Sequence, residues 1–210
     1  MLLCYHERIM DIREEKLLDN QYGINTCGRD DSREDNEHRA YEPTPYDVLE
    51  LIAESGFIES ADTLVDMGCG KGRASLFLAN KTHCKAIGIE YDDRLVLLAK
   101  ENLENMPNHS DVIFLHESAE NYAISADDTV FFFFNPFSEK ILETVLSNIQ
   151  KSYYESPRNI RLLFYYPSLE YVGRLMTKDY LNFVDEIDCS HLYKDNKGRE
   201  CVMIFEVAIE

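Results

Sequence analysis

From residue 63 onward, short apolar runs alternate with stretches of helical periodicity. Residues 63–67 and 85–89 read as strands, the second ending at Glu90. Between and after them, about 72–80 (Ala74, Leu76, Phe77, Leu78, Ala79) and 92–105 (Leu95, Leu98, Ala99, Leu103) read as helices. Residues 111–115 and 129–134 add two further strands. Ser138 caps a helix to about Ser152, with Ile141, Leu142, Val145, Leu146 and Ile149 on one face. Residues 159–166 form a fifth strand, and Ser168 begins another helix. Two last β segments, 183–187 and 202–207, are separated by the turn-rich 194–198 and by no helical pattern.

The runs at 129–134 and 159–166 are continuously apolar, as strands covered on both faces by helices are. Repeated strand–helix units then predict an α/β fold, doubly wound and Rossmann-like. The expected sheet is seven-stranded and mostly parallel, with an antiparallel C-terminal hairpin at its edge.

The first 42 residues break this pattern. Residues 9–18 have a ragged helical face, and 23–39 are rich in Asp, Asn, Glu, Arg and Gly with almost no large apolar residue. This reads as a solvated N-terminal arm or, alternatively, as a lid over a ligand. A domain covering 43–210 begins with Pro43-Thr44-Pro45, where Thr44 is expected to cap a helix carrying Val48, Leu49, Leu51 and Ile52.

Composition narrows the setting. A chain of 210 residues with 45% hydrophobic residues, 13 Tyr and 11 Phe can bury a full core. The formal net charge of −18 disfavours a nucleic-acid partner. No apolar run reaches the length of a membrane helix, and the first seven residues turn polar too early for a signal peptide. Six scattered cysteines form no C-x-x-C pair and no zinc-like ligand spacing, so no metal is expected. These features together point to the cytoplasm.

The chemistry concentrates in 65–73, Val-Asp-Met-Gly-Cys-Gly-Lys-Gly-Arg, between the first strand and its helix. Glycines there let the backbone approach a ligand, and the helix start offers free N–H groups. Glu90, 20 residues after Gly70 at the end of the second strand, can accept hydrogen bonds from both ribose hydroxyls. A dinucleotide fingerprint would place a third glycine at Arg73, and Asp66 would repel a pyrophosphate. The same carboxylate suits a ligand bearing an amino group and a sulfonium.

Asp66, Gly68, Gly70 and Gly72 resemble motif I of the class I S-adenosylmethionine-dependent methyltransferases, D-x-G-x-G-x-G. The similarity runs from about Tyr41 to the C-terminus. It implies S-adenosylmethionine as cofactor, held by Asp66, Gly68, Cys69, Gly70 and Glu90. Ser118 and Ala119 fall where the family contacts adenine, although Ser118 replaces the common Asp. Tyr46 or Thr44 is expected near the methionine end, in the segment that resembles one folding beside the cofactor. Asn135, Pro136 and Phe137 resemble the N-P-P-[FY] motif of amino-group methyltransferases, with one proline missing. There, the Asn side chain and a backbone carbonyl hold the target nitrogen while the aromatic ring stacks on a planar substrate. The resemblance implies in-line methyl transfer to a small molecule or protein side chain, with nucleic acid less favoured. Two alternatives stand beside it: a nicotinamide-dependent oxidoreductase on a Rossmann core, and a non-catalytic S-adenosylmethionine-binding subunit.

Overall fold

A computed structural model describes residues 11–107, 111–194 and 199–208. The fold opens with α1 (Ile12–Tyr22), shifted from the expected 9–18, of which residues 9 and 10 lie outside the described residues. Its caps explain the shift. Asp11 and Glu14 close a reciprocal capping box, and Gly23 ends the helix in a left-handed conformation. The second helix, α2 (Tyr46–Glu54), begins after Pro45 with no side-chain cap. Thr44 therefore does not cap it; its carbonyl instead accepts a hydrogen bond from Arg73.

Alternating elements follow: β1 (Thr63–Met67), α3 (Arg73–Thr82), β2 (Lys85–Glu90), α4 (Asp93–Asn105) and β3 (Val112–His116). The second half continues with β4 (Val130–Phe133), α5 (Glu139–Glu155), β5 (Arg161–Tyr165), α6 (Leu169–Leu175), β6 (Leu181–Asp188) and β7 (Cys201–Val207). The turn expected at 194–198 lies mostly outside the described residues.

The seven strands form one sheet in the order β3-β2-β1-β4-β5-β7-β6. The first five in this order are parallel, whereas β7 is antiparallel to both neighbours. The C-terminal pair lies at the edge as the expected antiparallel hairpin, with β7 beside β5 and β6 outermost. Burial follows position, since β7 is largely buried and β6, at the edge, is mostly exposed.

Alternate residues of β4 feed the two cores. Phe132 packs with Leu49, Ile52, Leu76 and Leu78 of α2 and α3, while Phe131 and Phe133 pack with Leu142, Val145 and Ile149 of α5. Helices on both faces explain the uninterrupted apolar run. The arrangement leaves the carboxyl ends of β1, β2, β4 and β5 open at the point where chain order reverses, where α/β sheets bind ligands. Among the described residues, no helix is long and apolar enough to cross a membrane.

Candidate active site

These strand ends, together with residues 27–45, enclose a cavity of about 680 Å³. Small-molecule sites typically span about 300–1,000 Å³. One wall is the turn from β1 into α3. Gly68 and Gly70 there have φ of 86° and 55°. A Cβ on Gly68 would lie 2.3 Å from Cβ of Pro136, and one on Gly70 would lie 2.2 Å from the Tyr41 ring. Both conformation and space therefore require glycine.

Two buried carboxylates flank this turn. Asp66 accepts hydrogen bonds from the Ser75 hydroxyl at 2.7 Å and the Ser75 N–H at 3.2 Å. Burial pushes its carboxyl up to about 6; the Ser75 bonds oppose that shift, and nearby Glu90 reinforces it. Glu90 accepts the Gly70 N–H and the Asp92 N–H, each at 2.9 Å, tying the glycine turn to the end of β2. Burial raises its pKa too, against the pull of those backbone donors. A cationic ligand beside this pair would relieve both. The Cys69 thiol, raised well above its ordinary range by burial, stays protonated.

The roof comes from the arm. The Tyr41 ring covers Gly70, its hydroxyl donates to the Thr26 carbonyl at 2.6 Å, and Lys71 Nζ lies 4.8 Å from the ring centroid. Across the cavity, His38 stacks on Tyr91 with centroids 3.7 Å apart. Residues 37–39 pair with 136–138: the Arg39 N–H donates to the Pro136 carbonyl at 3.1 Å, and the Ser138 N–H to the Glu37 carbonyl at 2.7 Å.

Arg73, the residue that breaks the dinucleotide fingerprint, anchors this roof. Its buried guanidinium pairs with Glu15 and, at 3.3 Å, with Asp19, and its Nε donates to the Thr26 hydroxyl at 2.6 Å. Its group lies 4.3 Å from the Tyr46 ring centroid, and the Tyr46 hydroxyl donates to Asp19 at 2.6 Å. Tyr46 is thereby fixed within the anchor and does not line the cavity.

At the end of β4, Asn135 adopts φ 43° and Tyr166, just beyond β5, adopts φ 48°. Such left-handed side-chain-bearing residues concentrate at functional sites. Asn135 Nδ2 donates to the Tyr166 carbonyl at 2.6 Å, and its Oδ1 accepts the Ser168 N–H at 3.0 Å. The Asn135 amide and Pro136 carbonyl, which the N-P-P-[FY] resemblance would offer to a target nitrogen, thus already have partners within the chain. Phe137 is buried edge-on against Phe133, and its carbonyl accepts the Tyr171 hydroxyl at 2.7 Å. The neighbouring wall is aromatic: Phe134, Tyr165, Tyr166 and Tyr193, with the hydroxyls of Tyr165 and Tyr193 bonded to each other.

Of the residues singled out from sequence, Asp66, Gly68, Cys69 and Glu90 line the cavity, as do Ala119, Asn135, Pro136 and Phe137. Gly70 lies under Tyr41, and Ser118 and Tyr46 face elsewhere. Sequence reasoning missed Tyr41, His38 and Tyr91, whose roles arise from long-range packing. Glu117 and Glu120 also line the cavity.

The donor set fits S-adenosylmethionine: paired acids for its cationic portion, a glycine turn for close approach and Glu90 for its ribose. Residues 64–153 match a protein family described as "Methyltransferase domain". A protein-lysine N-methyltransferase of Saccharolobus islandicus (strain REY15A) is 34% identical over 68 residues, covering 32% of this chain. The chain spans only 42% of that relative's length. An RNA methyltransferase from Salinibacter ruber, solved with S-adenosyl-L-homocysteine, aligns with a TM-score of 0.56 at 21% identity, over 80% of this chain and 95% of that one. A TehB-like SAM-dependent methyltransferase from Corynebacterium glutamicum aligns at 0.58 and 18% identity, over 79% and 89%. At these identities the structural likeness is one of fold. Residues 64–153 thus match a methyltransferase-domain family, and the sheet that carries them has the fold of these solved S-adenosylmethionine-dependent methyltransferases.

Proposed function

We propose that this chain is a cytoplasmic N-methyltransferase that transfers a methyl group from S-adenosylmethionine to a lysine amino group of a protein. The observation that carries the acceptor is the wall of Phe134, Tyr165, Tyr166 and Tyr193 beside the cofactor half of the cavity. Aromatic faces attract an ammonium-bearing aliphatic chain. The net charge of −18 favours a basic protein over RNA or DNA. The name of the curated relative agrees with this class.

When bound, S-adenosylmethionine would supply an electrophilic methyl group on a sulfonium; the lysine ammonium would first lose its proton to water, and its nitrogen lone pair would form the N–C bond as the S–C bond breaks to leave the thioether. The chain's part is placement. Asp66 would hold the cationic portion and Glu90 the ribose, beneath the roof at Tyr41. The Asn135–Tyr166 clamp sets the wall along which the acceptor enters. Positioning of this kind can supply about 7–11 kcal/mol.

The test is transfer of tritiated methyl from the cofactor to three parallel acceptors: a basic lysine-rich protein, total RNA, and a panel of small amines. Label recovered as methyl-lysine after acid hydrolysis is the expected result. Label confined to RNA or to small amines would overturn the protein acceptor. Cofactor binding without transfer to any of the three would favour the non-catalytic subunit.

A further inference from the structure

We infer that Arg39 and Arg199 form a carboxylate-binding subsite beside the aromatic wall, and that it selects an acceptor lysine flanked by Asp or Glu. This deepens the lysine-acceptor reading and rests on it for the nature of the ligand.

The arginines of the cavity fall into two groups. Six line it: Arg29, Arg33, Arg39, Arg73, Arg94 and Arg199. Four are ion-paired within the chain, Arg29 with Glu42, Arg33 with Asp93, Arg73 with Glu15 and Arg94 with Asp92. Arg39 and Arg199 meet no carboxylate at ion-pair distance among the described residues. In a chain with 39 acidic residues against 21 basic ones, internal partners are plentiful, so two cavity arginines left without one call for a ligand.

Both are carried by the same piece of backbone. The Arg39 N–H donates to the Pro136 carbonyl at 3.1 Å, which sets its exposed side chain just beyond the end of β4. Arg199, just before β7, has its guanidinium 4.9 Å from the Tyr166 ring centroid, and its Nη2 donates to the Pro167 carbonyl at 3.2 Å. The Tyr166 carbonyl in turn accepts from Asn135, so the Asn135–Tyr166 clamp positions both cations. A ring face and a neutral carbonyl hold the Arg199 guanidinium without cancelling its charge.

Glu170, in the first turn of α6, reports on the space between them. It lines the cavity, and bonds from its own N–H and the Ser168 hydroxyl hold its carboxyl below the ordinary range. Arg199 and then Arg39 pull it further down, so one carboxylate at this wall feels both cations. Glu170 forms an ion pair with neither among the described residues. A carboxylate brought by the acceptor can take the bidentate fork that Glu170 leaves open. The net charge draws a basic protein from a distance, whereas the arginine pair reads the residue beside the lysine on contact.

The test compares two peptides that differ only in the residues flanking a single lysine, Glu in one and Gln in the other. Methyl transfer from S-adenosylmethionine gives kcat/KM for each, and calorimetry with S-adenosylhomocysteine present gives each Kd. The proteins are wild type, Arg39→Gln, Arg199→Gln, the double variant and Lys100→Gln, an exposed, charge-matched control outside the cavity. The protein's net charge alone favours the Gln peptide, so a preference for Glu isolates the subsite. Wild type and Lys100→Gln should prefer the Glu peptide about tenfold by both measures, in keeping with a charge-assisted hydrogen bond. Each single variant should lose most of that preference and the double variant all of it. The ratio between peptides cancels any general loss of activity, and thermal unfolding confirms that folded proteins are compared. No preference in wild type, or one that survives in the double variant, would overturn the inference. Tighter binding of the Glu peptide with no transfer to either would uphold the subsite and overturn the lysine-acceptor reading. Failure to bind or methylate either peptide would overturn both.

Discussion

The two halves of the crevice use similar residues to opposite ends. On the β1–β2 side, the carboxylates of Asp66 and Glu90 take hydrogen bonds from Ser75, Gly70 and Asp92 and line the cavity. On the β4–β5 side, Asn135 spends both ends of its amide on the chain, joining Tyr166 and Ser168 across 31 and 33 residues. Both sides line the cavity, but only on the second is a side-chain amide engaged at both its ends within the chain.

The largest expected effect concerns the anchor joining the arm to the cofactor side. Arg73→Met would leave Glu15 and Asp19 buried without their counter-charge, a loss of about 3–5 kcal/mol. At about 2–4 °C per kcal/mol, melting should fall by roughly 6–20 °C. A fall of one or two degrees would show that the arm and the glycine turn are energetically separate.

Next comes Asp66. Its folded pKa of about 6 lies above the ordinary 3.8, so the proton is bound more tightly in the folded state. The associated stability is full below pH 4 and is lost as pH rises through 6. Those two values differ by about 2 units, or about 3 kcal/mol at 1.36 kcal/mol per unit. Asp66→Asn, which mimics the protonated form, should match wild type at pH 4 and exceed it at pH 8 in denaturant titrations without cofactor. The same variant should bind S-adenosylmethionine more weakly at pH 8. Equal stability at both pH values would mean that Asp66 is less strained by burial than its surroundings imply.

The Asn135 side separates clamp from acceptor holder. Asn135→Asp keeps an acceptor for a target amine and for the Ser168 N–H but loses the donor to the Tyr166 carbonyl. As a clamp it should fall as far as Asn135→Ala, about 10–100-fold in turnover, with cofactor affinity within twofold of wild type. Retained turnover in Asn135→Asp alone would restore the role that the N-P-P-[FY] resemblance implies.

The smallest effect belongs to the 37–39 segment that pairs with 136–138. His38→Ala removes a ring stack worth about 0.5–1.5 kcal/mol. Faster hydrogen exchange at the Arg39 and Ser138 amides, with global stability nearly unchanged, is the expected signature.

Most of the sheet was legible because its signals are local. The strand runs, the caps at Ser138 and Ser168 and the Asp66–Gly72 turn each declare themselves within a dozen residues. Which member of the C-terminal hairpin lies beside β5 was not legible, since an antiparallel neighbour on both sides leaves the same apolar run as a parallel one. Nor was the arm: its polar residues look solvated in sequence, yet Asp19 and Thr26 are buried around Arg73. A charged residue in a buried network carries no local mark of its partner. Tyr46 illustrates the same limit, because its place near the cofactor motif in sequence becomes a place behind it in space.

The anchor at Arg73 bears on how this protein can be cut and recombined. The composition change near Tyr41 marks an inviting place for a boundary, but a chain begun there would lack Glu15, Asp19 and Thr26 and so take from the Arg73 guanidinium both its counter-charges and part of its cover. Grafting the sheet alone onto another scaffold would carry the same defect. The amino-terminal segment and the nucleotide-facing turn must be moved, truncated or evolved as one cassette.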